Sequence, residues 1–158
     1  KMMDRLKPKS IVIVSSAPQI RFPDCYGIDM AKMEGLVAFR AALELLRERN
    51  MWHVVDEVYQ KCKNQVDLKD SEVVNFVTEI YAPFEAQEVS DKIAEMLGTP
   101  EVKAKIKIIF QTVENLHIAC PKNLGDWYFT GDYPTPGGNR VVNRAFMNWY
   151  EGSDARAY

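Results

Sequence analysis

The chain has 158 residues, the size of one ordinary domain. With 47% hydrophobic and 27% charged residues, its composition excludes a disordered or low-complexity protein. A formal net charge of −2 supplies no broad cationic surface, so we expect neither nucleic acid nor an anionic membrane as a partner. The opening residues lack the apolar core of a secretory signal, and no apolar run is long enough for a membrane span, so we expect a cytoplasmic protein.

The first predicted elements are the last turn of a helix over residues 1–6 and an aliphatic, β-branched strand over residues 11–14. A run that is apolar on both faces is typical of a strand covered on both sides in a parallel sheet. Parallel neighbours arrive through crossover connections, so one such strand at the start needs others before it. We therefore expect the chain to be a fragment that begins in the middle of a βαβ unit.

Four helical patterns follow the strand, and apolar residues recur in each with helical spacing. They cover residues 33–49, 52–62, 73–81 and 89–97. No linker rich in Gly or Ser separates them, so we treat residues 1–158 as a single unit. Within it, residues 1–50 are expected to end the α/β core, residues 51–104 to form a helical insertion, and residues 105–158 to form a C-terminal strand, helix and loop region.

The last third of the chain is predicted to add a second strand over residues 106–110 and a helix whose N-cap is Thr112. The aromatic stretch at residues 127–130 favours extended structure, and residues 133–139 are too rich in Pro and Gly for regular structure. Asn139 is then expected to cap a final helix.

The end of that helix is predicted at Gly152, followed by a frayed segment. Before it, Gly137 and Gly138 could present backbone N–H groups to an anion, but a turn before a capped helix is the simpler interpretation.

The chemistry-bearing side chains form no catalytic or metal-binding motif. Cys25, Cys62 and Cys120 have neither disulfide-framework nor Cys-x-x-Cys spacing, so they are interpreted as free thiols. His117 shares a helical face with Cys120, but zinc needs four ligands, and we predict no metal site. We therefore assign no catalytic residue.

The loop after the first strand remains the best candidate site, because ligands of open α/β sheets bind at the carboxyl ends of the strands. Its polar residues include Ser15, Ser16 and Arg21.

Residues 11–30 read IVIVSSAPQIRFPDCYGIDM, and they resemble the segment after the phosphoribosyl-diphosphate loop of glutamine amidophosphoribosyltransferases. Residues 108–111 (IIFQ) and 128–135 (YFTGDYPT) are similar to the family's C-terminal strand and its Phe-Thr-Gly-x-Tyr-Pro-Thr stretch. The resemblance covers both ends of the chain, whereas about residues 50–100 and the tail after Thr135 match only a subset of the family, and no site is transferred onto them.

The resemblance implies a truncated type I phosphoribosyltransferase-like sheet with additional helices. The full enzyme would release ammonia from glutamine and transfer it to phosphoribosyl diphosphate, giving 5-phosphoribosylamine for purine synthesis. The acidic pair with its Gly-Thr-Thr loop and the glutaminase domain are not in these 158 residues. The Mg²⁺ ion that holds the diphosphate would therefore be bound outside this chain, and we expect the chain alone to be inactive.

By family position, Tyr26, Asp29 and Leu36 are expected near the junction of the glutaminase and phosphoribosyltransferase domains. The resemblance implies that Leu36 lines the ammonia passage and that Asp29 makes polar contacts across the junction. Leu36 also fits an ordinary core position of an amphipathic helix, and both roles can hold together.

Some family members carry a structural iron–sulfur cluster. Its cysteine positions correspond here to Asp24, Gly125 and Tyr128, so we predict no cluster.

Two further expectations concern partners. A truncated sheet should expose apolar surface where the missing N-terminal part of the chain belongs, and a homo-oligomer could hide that surface. The alternative to the enzyme is a self-contained helical interaction module that binds a peptide or small ligand at the 127–139 loop.

Overall fold

The computed structural model describes residues 6–24, 30–122 and 125–157. It is a helix-rich α/β structure, which confirms the general fold class that the sequence predicts. Its regular elements are the strands β1 (Ser10–Ser15) and β2 (Lys105–Phe110) and the helices α1 (Val37–Glu48), α2 (His53–Lys63), α3 (Ala86–Leu97), α4 (Val113–Ala119), α5 (Trp127–Thr130) and α6 (Pro136–Glu151). None of the helices in the described ranges has both the length and the hydrophobicity needed to cross a bilayer.

The sheet consists of two parallel strands, both at the predicted positions. Ser10 lies opposite Lys105, and Ser15 lies opposite Phe110. Within the described ranges, β1 pairs with no strand other than β2. The prediction that β1 is covered on both faces is wrong for this chain, since Val12 is 52% and Val14 71% exposed. Helix α3 packs against β2, and residues two apart on β1 share a face that stays open.

The core forms around α1, whose apolar stripe contacts elements from the middle and the end of the chain. Helix α1 packs against α3, and α2 packs against α6. Phe39 is fully buried and meets the rings of Phe146 and Trp149 edge to face, with centroid distances of 6.1 and 4.8 Å. One core therefore joins helices that are distant in the sequence.

The first predicted helix is shorter than the pattern suggests. Met33–Gly35 is a separate 3₁₀ turn, and the extended backbone of Leu36, with ψ 111°, precedes α1. The pattern over residues 33–49 thus includes two elements, because a 3₁₀ turn and an α-helix place apolar side chains at similar spacing.

The helix predicted over residues 73–81 is wrong. The chain instead forms 3₁₀ turns at Asp70–Glu72 and Phe76–Ile80. Between them, the Gln65 side chain pairs with both backbone groups of Val74: Nε2 donates to the carbonyl at 2.9 Å, and Oε1 accepts from the amide at 2.8 Å. Those backbone groups are then unavailable for a helical ladder.

Two predictions near the end of the chain also fail. The stretch Trp127–Thr130 is one helical turn rather than extended, because the Asp126 carbonyl accepts hydrogen bonds from the amides of Phe129 (2.9 Å) and Thr130 (3.1 Å). Helix α6 starts at Pro136, a residue that suits a first helical turn. Asn139 therefore caps nothing, and its Nδ2 donates to the Val73 carbonyl at 2.9 Å.

The segment after α6 is not frayed as predicted. Ala157 is only 5% exposed and belongs to the core, and the Asn148 side chain donates to the Ala155 carbonyl at 2.8 Å. Burial of Ala157 and hydrogen bonds to α6 together hold this segment against the helices.

The two glycines in the first turn of α6 are expected to respond oppositely to alanine. A Cβ on Gly138 would lie 2.5 Å from Cβ and Cγ of Tyr133, whereas a Cβ on Gly137 would meet only an Asp70 oxygen at 4.0 Å. Gly138→Ala should lower the free energy of unfolding by about 1–3 kcal/mol through overpacking. Gly137→Ala should raise it by about 0.5–1 kcal/mol, because it restricts the unfolded chain. Urea titrations measure both, and a change of the same sign in the two variants would contradict the packing.

Candidate functional site

The carboxyl ends of β1 and β2 lie side by side and define the candidate site. The amide of Gln111, just after β2, donates to the carbonyl of Ser15 at 3.2 Å. The loop that follows β1 and the turn that precedes α4 therefore leave the same edge of the sheet. In parallel sheets this edge is where ligands bind.

A cleft of about 420 Å³ opens at this edge, between the β1 loop, the first turn of α3 and the first turn of α4. Its apolar wall includes Phe110, Val113 and Phe129. Arg21 and Gln111 bring polar groups to the same cleft. The cleft thus combines apolar side chains with several polar and charged ones that could orient a bound ligand.

Arg21 is held by a hydrogen-bond relay to α3. Its Nε and Nη2 donate to Gln19 Oε1 at 3.1 and 2.9 Å. Gln19 is buried, and its Nε2 donates to the Ala86 carbonyl at 2.7 Å and to Ser90 Oγ at 2.8 Å. The guanidinium also lies over the Tyr81 ring, 5.3 Å from its centroid. Burial lowers the pKa of Arg21, because it disfavours the charged form.

The two stretches that carry the resemblance pack against each other here. The carbonyl of Tyr128 accepts the amides of Arg21 (2.8 Å) and Phe22 (3.1 Å). The Tyr128 hydroxyl donates to the Asp24 carboxylate, and the hydroxyl of Tyr133 donates to the carbonyl that precedes Asp24. Segments more than 100 residues apart in sequence thus form one wall of the site.

The Phe22 position depends on Gly131. Phe22 is 2% exposed, and a Cβ on Gly131 would lie 2.9 Å from its ring. Gly131 has φ 82°, which favours glycine, so the end of α5 and the β1 loop fit together closely.

The predicted site residues are only partly brought together. Arg21 lines the cleft, whereas Ser15 lines a second cavity beside it, where its hydroxyl donates to the Ala17 carbonyl at 2.9 Å. Ser16 is exposed and lines neither of these two cavities. Tyr26 and Asp29 lie outside the described residues.

Leu36 lines the second cavity, which has a volume of about 220 Å³. Leu36 is 5% exposed, and the cavity wall beside it includes Ile20, Met30 and Phe110. Phe110 also lines the Arg21 cleft, so the two cavities are neighbours at the end of the sheet. The wall around Leu36 suits a small, neutral molecule.

The cysteine and histidine side chains show no sign of shared chemistry. Cys62 is buried, and burial raises its pKa to about 12, so the thiol is protonated at neutral pH. Cys120 is exposed, and His117 Nε2 lies 2.7 Å from Asp126 Oδ2. In the described part of the chain, no three His, Cys, Asp or Glu side chains gather as a metal site requires. Cys25 lies outside that part.

Sequence reasoning missed Gln19, Tyr81 and Ser90. Gln19 is a polar residue in a loop, which usually indicates solvent exposure, yet its side chain is buried. Tyr81 donates to the Arg21 carbonyl at 2.6 Å from 60 residues away. No local pattern reports a contact of that sequence separation.

Comparison of the chain with protein-family models, with curated proteins and with solved structures finds no match. The functional assignment therefore depends on the residues and the geometry described above.

Proposed function

We propose that the chain is the C-terminal part of the phosphoribosyltransferase domain of a glutamine amidophosphoribosyltransferase. Its two strands would belong to a type I phosphoribosyltransferase-like sheet whose other strands lie outside these 158 residues. The full enzyme would use glutamine and phosphoribosyl diphosphate to make 5-phosphoribosylamine for purine synthesis in the cytoplasm.

The open second edge of β1 is the observation that carries the proposal. Within the described ranges β1 has one partner strand, β2, and the aliphatic side chains of Val12 and Val14 on one face of the sheet are exposed as well. An exposed aliphatic edge strand invites aggregation, and native proteins usually cover such edges. A parallel strand from a preceding segment of the same protein would cover it, and self-association is a further way to do so.

The packing at the strand ends supports the same proposal. Residues 21–24 and 128–133 belong to two stretches whose amino-acid sequences resemble the family. Tyr128 makes three hydrogen bonds to residues 21–24. A resemblance in two separate stretches has more weight when the stretches form one surface.

In the proposed reaction, the nitrogen lone pair of ammonia forms a bond to C1 of the ribose as the bond from C1 to the diphosphate oxygen breaks. Pyrophosphate leaves with the electron pair, and the new amine loses one proton. Ammonium has no lone pair and cannot attack. An apolar passage therefore favours the reaction, and the cavity wall at Leu36 is mostly apolar.

The Mg²⁺ ion that the resemblance implies has no ligand set among the described residues, since no group of three acidic, His or Cys side chains is found in them. We therefore derive no step through a metal in this chain. Its residues would position, and shield from water, a reaction whose phosphate-binding loop lies upstream.

The alternative, a self-contained helical module that binds a peptide or small ligand at the 127–139 loop, has less support. The hydroxyls of Tyr128 and Tyr133 bond to the chain itself, and a Cβ on Gly138 would clash with Tyr133. These aromatic groups are therefore used in internal packing.

An activity comparison tests the proposal. Protein that includes the segment upstream of Lys1 should release pyrophosphate from phosphoribosyl diphosphate when glutamine is added, while residues 1–158 alone should not. Turnover by residues 1–158 alone, or a folded longer protein that releases no pyrophosphate with glutamine or ammonia, would overturn it.

A further inference from the structure

The charge of Arg21 has no carboxylate partner within the described part of the chain. The guanidinium of Arg21 donates hydrogen bonds to the neutral side-chain amide of Gln19, and its planar face lies over the Tyr81 ring. By contrast, Arg49 pairs with Glu88 and Arg140 pairs with Asp70. A half-buried cation without a counter-charge costs free energy, and a bound anion would offset that cost.

The guanidinium is nevertheless fixed in place before any ligand binds. Gln19 holds its Nε and Nη2, and Gln19 is itself anchored on Ala86 and Ser90 of α3. Nη1 makes no hydrogen bond in the described ranges. A fixed guanidinium loses little side-chain entropy when it binds a carboxylate or phosphate.

A second donor lines the same cleft. The Oε1 atom of Gln111 accepts the amide of Thr112 at 3.1 Å, which orients the side chain, and its Nε2 has no partner in the described structure. The apolar wall of Phe110, Val113 and Phe129 lies beside these donors. The cleft can thus hold an anionic group and an apolar body at once.

Two carboxylates on the cleft limit the charge of a ligand. The Glu85 side chain caps the start of α3, where Glu85 and Glu88 accept hydrogen bonds from each other's backbone amides. Glu114 is exposed at the start of α4. Both would repel a polyphosphate. The anionic ligands that Arg21 could hold in this cleft are therefore restricted to those with a single anionic group.

We propose that this cleft binds a small organic anion, with its single carboxylate or phosphate on Arg21 and Gln111 and its apolar body against Phe110, Val113 and Phe129. A volume of about 420 Å³ is adequate for a ligand of one or two rings. The site depends only on described residues of this chain and does not require the amidophosphoribosyltransferase proposal.

The test is a titration of residues 1–158 with benzoate, phenyl phosphate and neutral benzamide, followed by NMR of the Arg21 Nε–H and the Gln111 side-chain amide. We expect saturable shifts with the two anions and none with benzamide. Arg21→Gln should weaken binding by about 10-fold or more, the effect of losing a charge-assisted hydrogen bond. The control Arg40→Gln changes an exposed arginine of α1 and should leave binding unchanged.

The stronger of the two anions identifies the anionic group, a carboxylate or a phosphate. Equal binding of benzamide, an unchanged affinity in Arg21→Gln, or no saturable binding would overturn the proposal. Gln111→Ala, which leaves the Arg21 relay intact, is the second variant if Arg21→Gln does not fold: weaker anion binding supports the site, and unchanged binding contradicts it. None of these results depends on phosphoribosyl diphosphate turnover, so this proposal and the proposed function can fail separately.

Discussion

Replacing Phe39 by alanine is expected to lower the free energy of unfolding by about 3–5 kcal/mol. Phe39 is 0% exposed on the central helix α1, and its ring is in edge-to-face contact with Phe146 and Trp149 of α6. Alanine would remove the ring's apolar burial and leave a cavity where α1 meets α6. A domain of this size is stable by only about 5–15 kcal/mol, so this loss is a large fraction of the total stability.

Urea unfolding followed by tryptophan fluorescence measures this loss, since Trp149 lies in the same cluster. The control is Val37→Ala on the same helix, at a residue that is 38% exposed. A partly exposed substitution of this kind usually changes stability by less than about 0.5–1 kcal/mol. Similar losses in the two variants would contradict the central position of Phe39.

Under the proposed function, Leu36→Ala in the full-length protein is expected to separate glutamine hydrolysis from phosphoribosylamine formation. The substitution would enlarge the apolar cavity of about 220 Å³ and admit water, so that ammonia is protonated or escapes before it reaches the sugar. We expect more glutamate than pyrophosphate per unit time, while activity with added ammonia stays near that of the unmodified enzyme.

The matched control is Leu45→Ala, a leucine of α1, the helix that Leu36 precedes, and it is buried to a similar degree, 7% against 5% exposed. Leu45 does not line the cavity, so this variant should lose stability and keep equal yields of glutamate and pyrophosphate. Equal yields in Leu36→Ala would refute its place in an ammonia passage.

The elements that the sequence predicts correctly are those whose own residues determine them. Strand β1 is an unbroken β-branched run, and α3 has helical spacing up to its final residue before Gly98. Thr112 caps α4 as predicted, with its Oγ1 accepting the Asn115 amide at 3.1 Å. In each case the signal lies within one turn or one strand.

Two of the mispredicted regions, residues 73–81 and the start of α6, are determined by hydrogen bonds from other elements. Val74 is extended because Gln65 binds both of its backbone groups, and the Asn143 side chain also donates to its carbonyl at 2.8 Å. The start of α6 cannot be located from Asn139, because its side-chain amide donates a hydrogen bond to the Val73 carbonyl instead. Tertiary hydrogen bonds override local preference at these positions.

The position of the candidate site could be predicted from the sequence, but the contacts that hold its side chains in place could not. Parallel strands place their loops at one edge, which selected the segment containing Arg21. The relay from Arg21 through Gln19 to Ser90 spans 71 residues between its last two members, and nothing local signals it. The same holds for Leu36, whose spacing indicates a core residue and whose cavity is visible only in the fold.

The most direct test of the account is the translated sequence immediately upstream of Lys1, read from the transcript that encodes the chain. We predict a β-branched strand that ends in two acidic residues and Gly-Thr-Thr within about 30 residues of Lys1, the length of one crossover unit. A start codon directly before Lys1, or an upstream segment without that acidic pair and loop, would contradict the assignment.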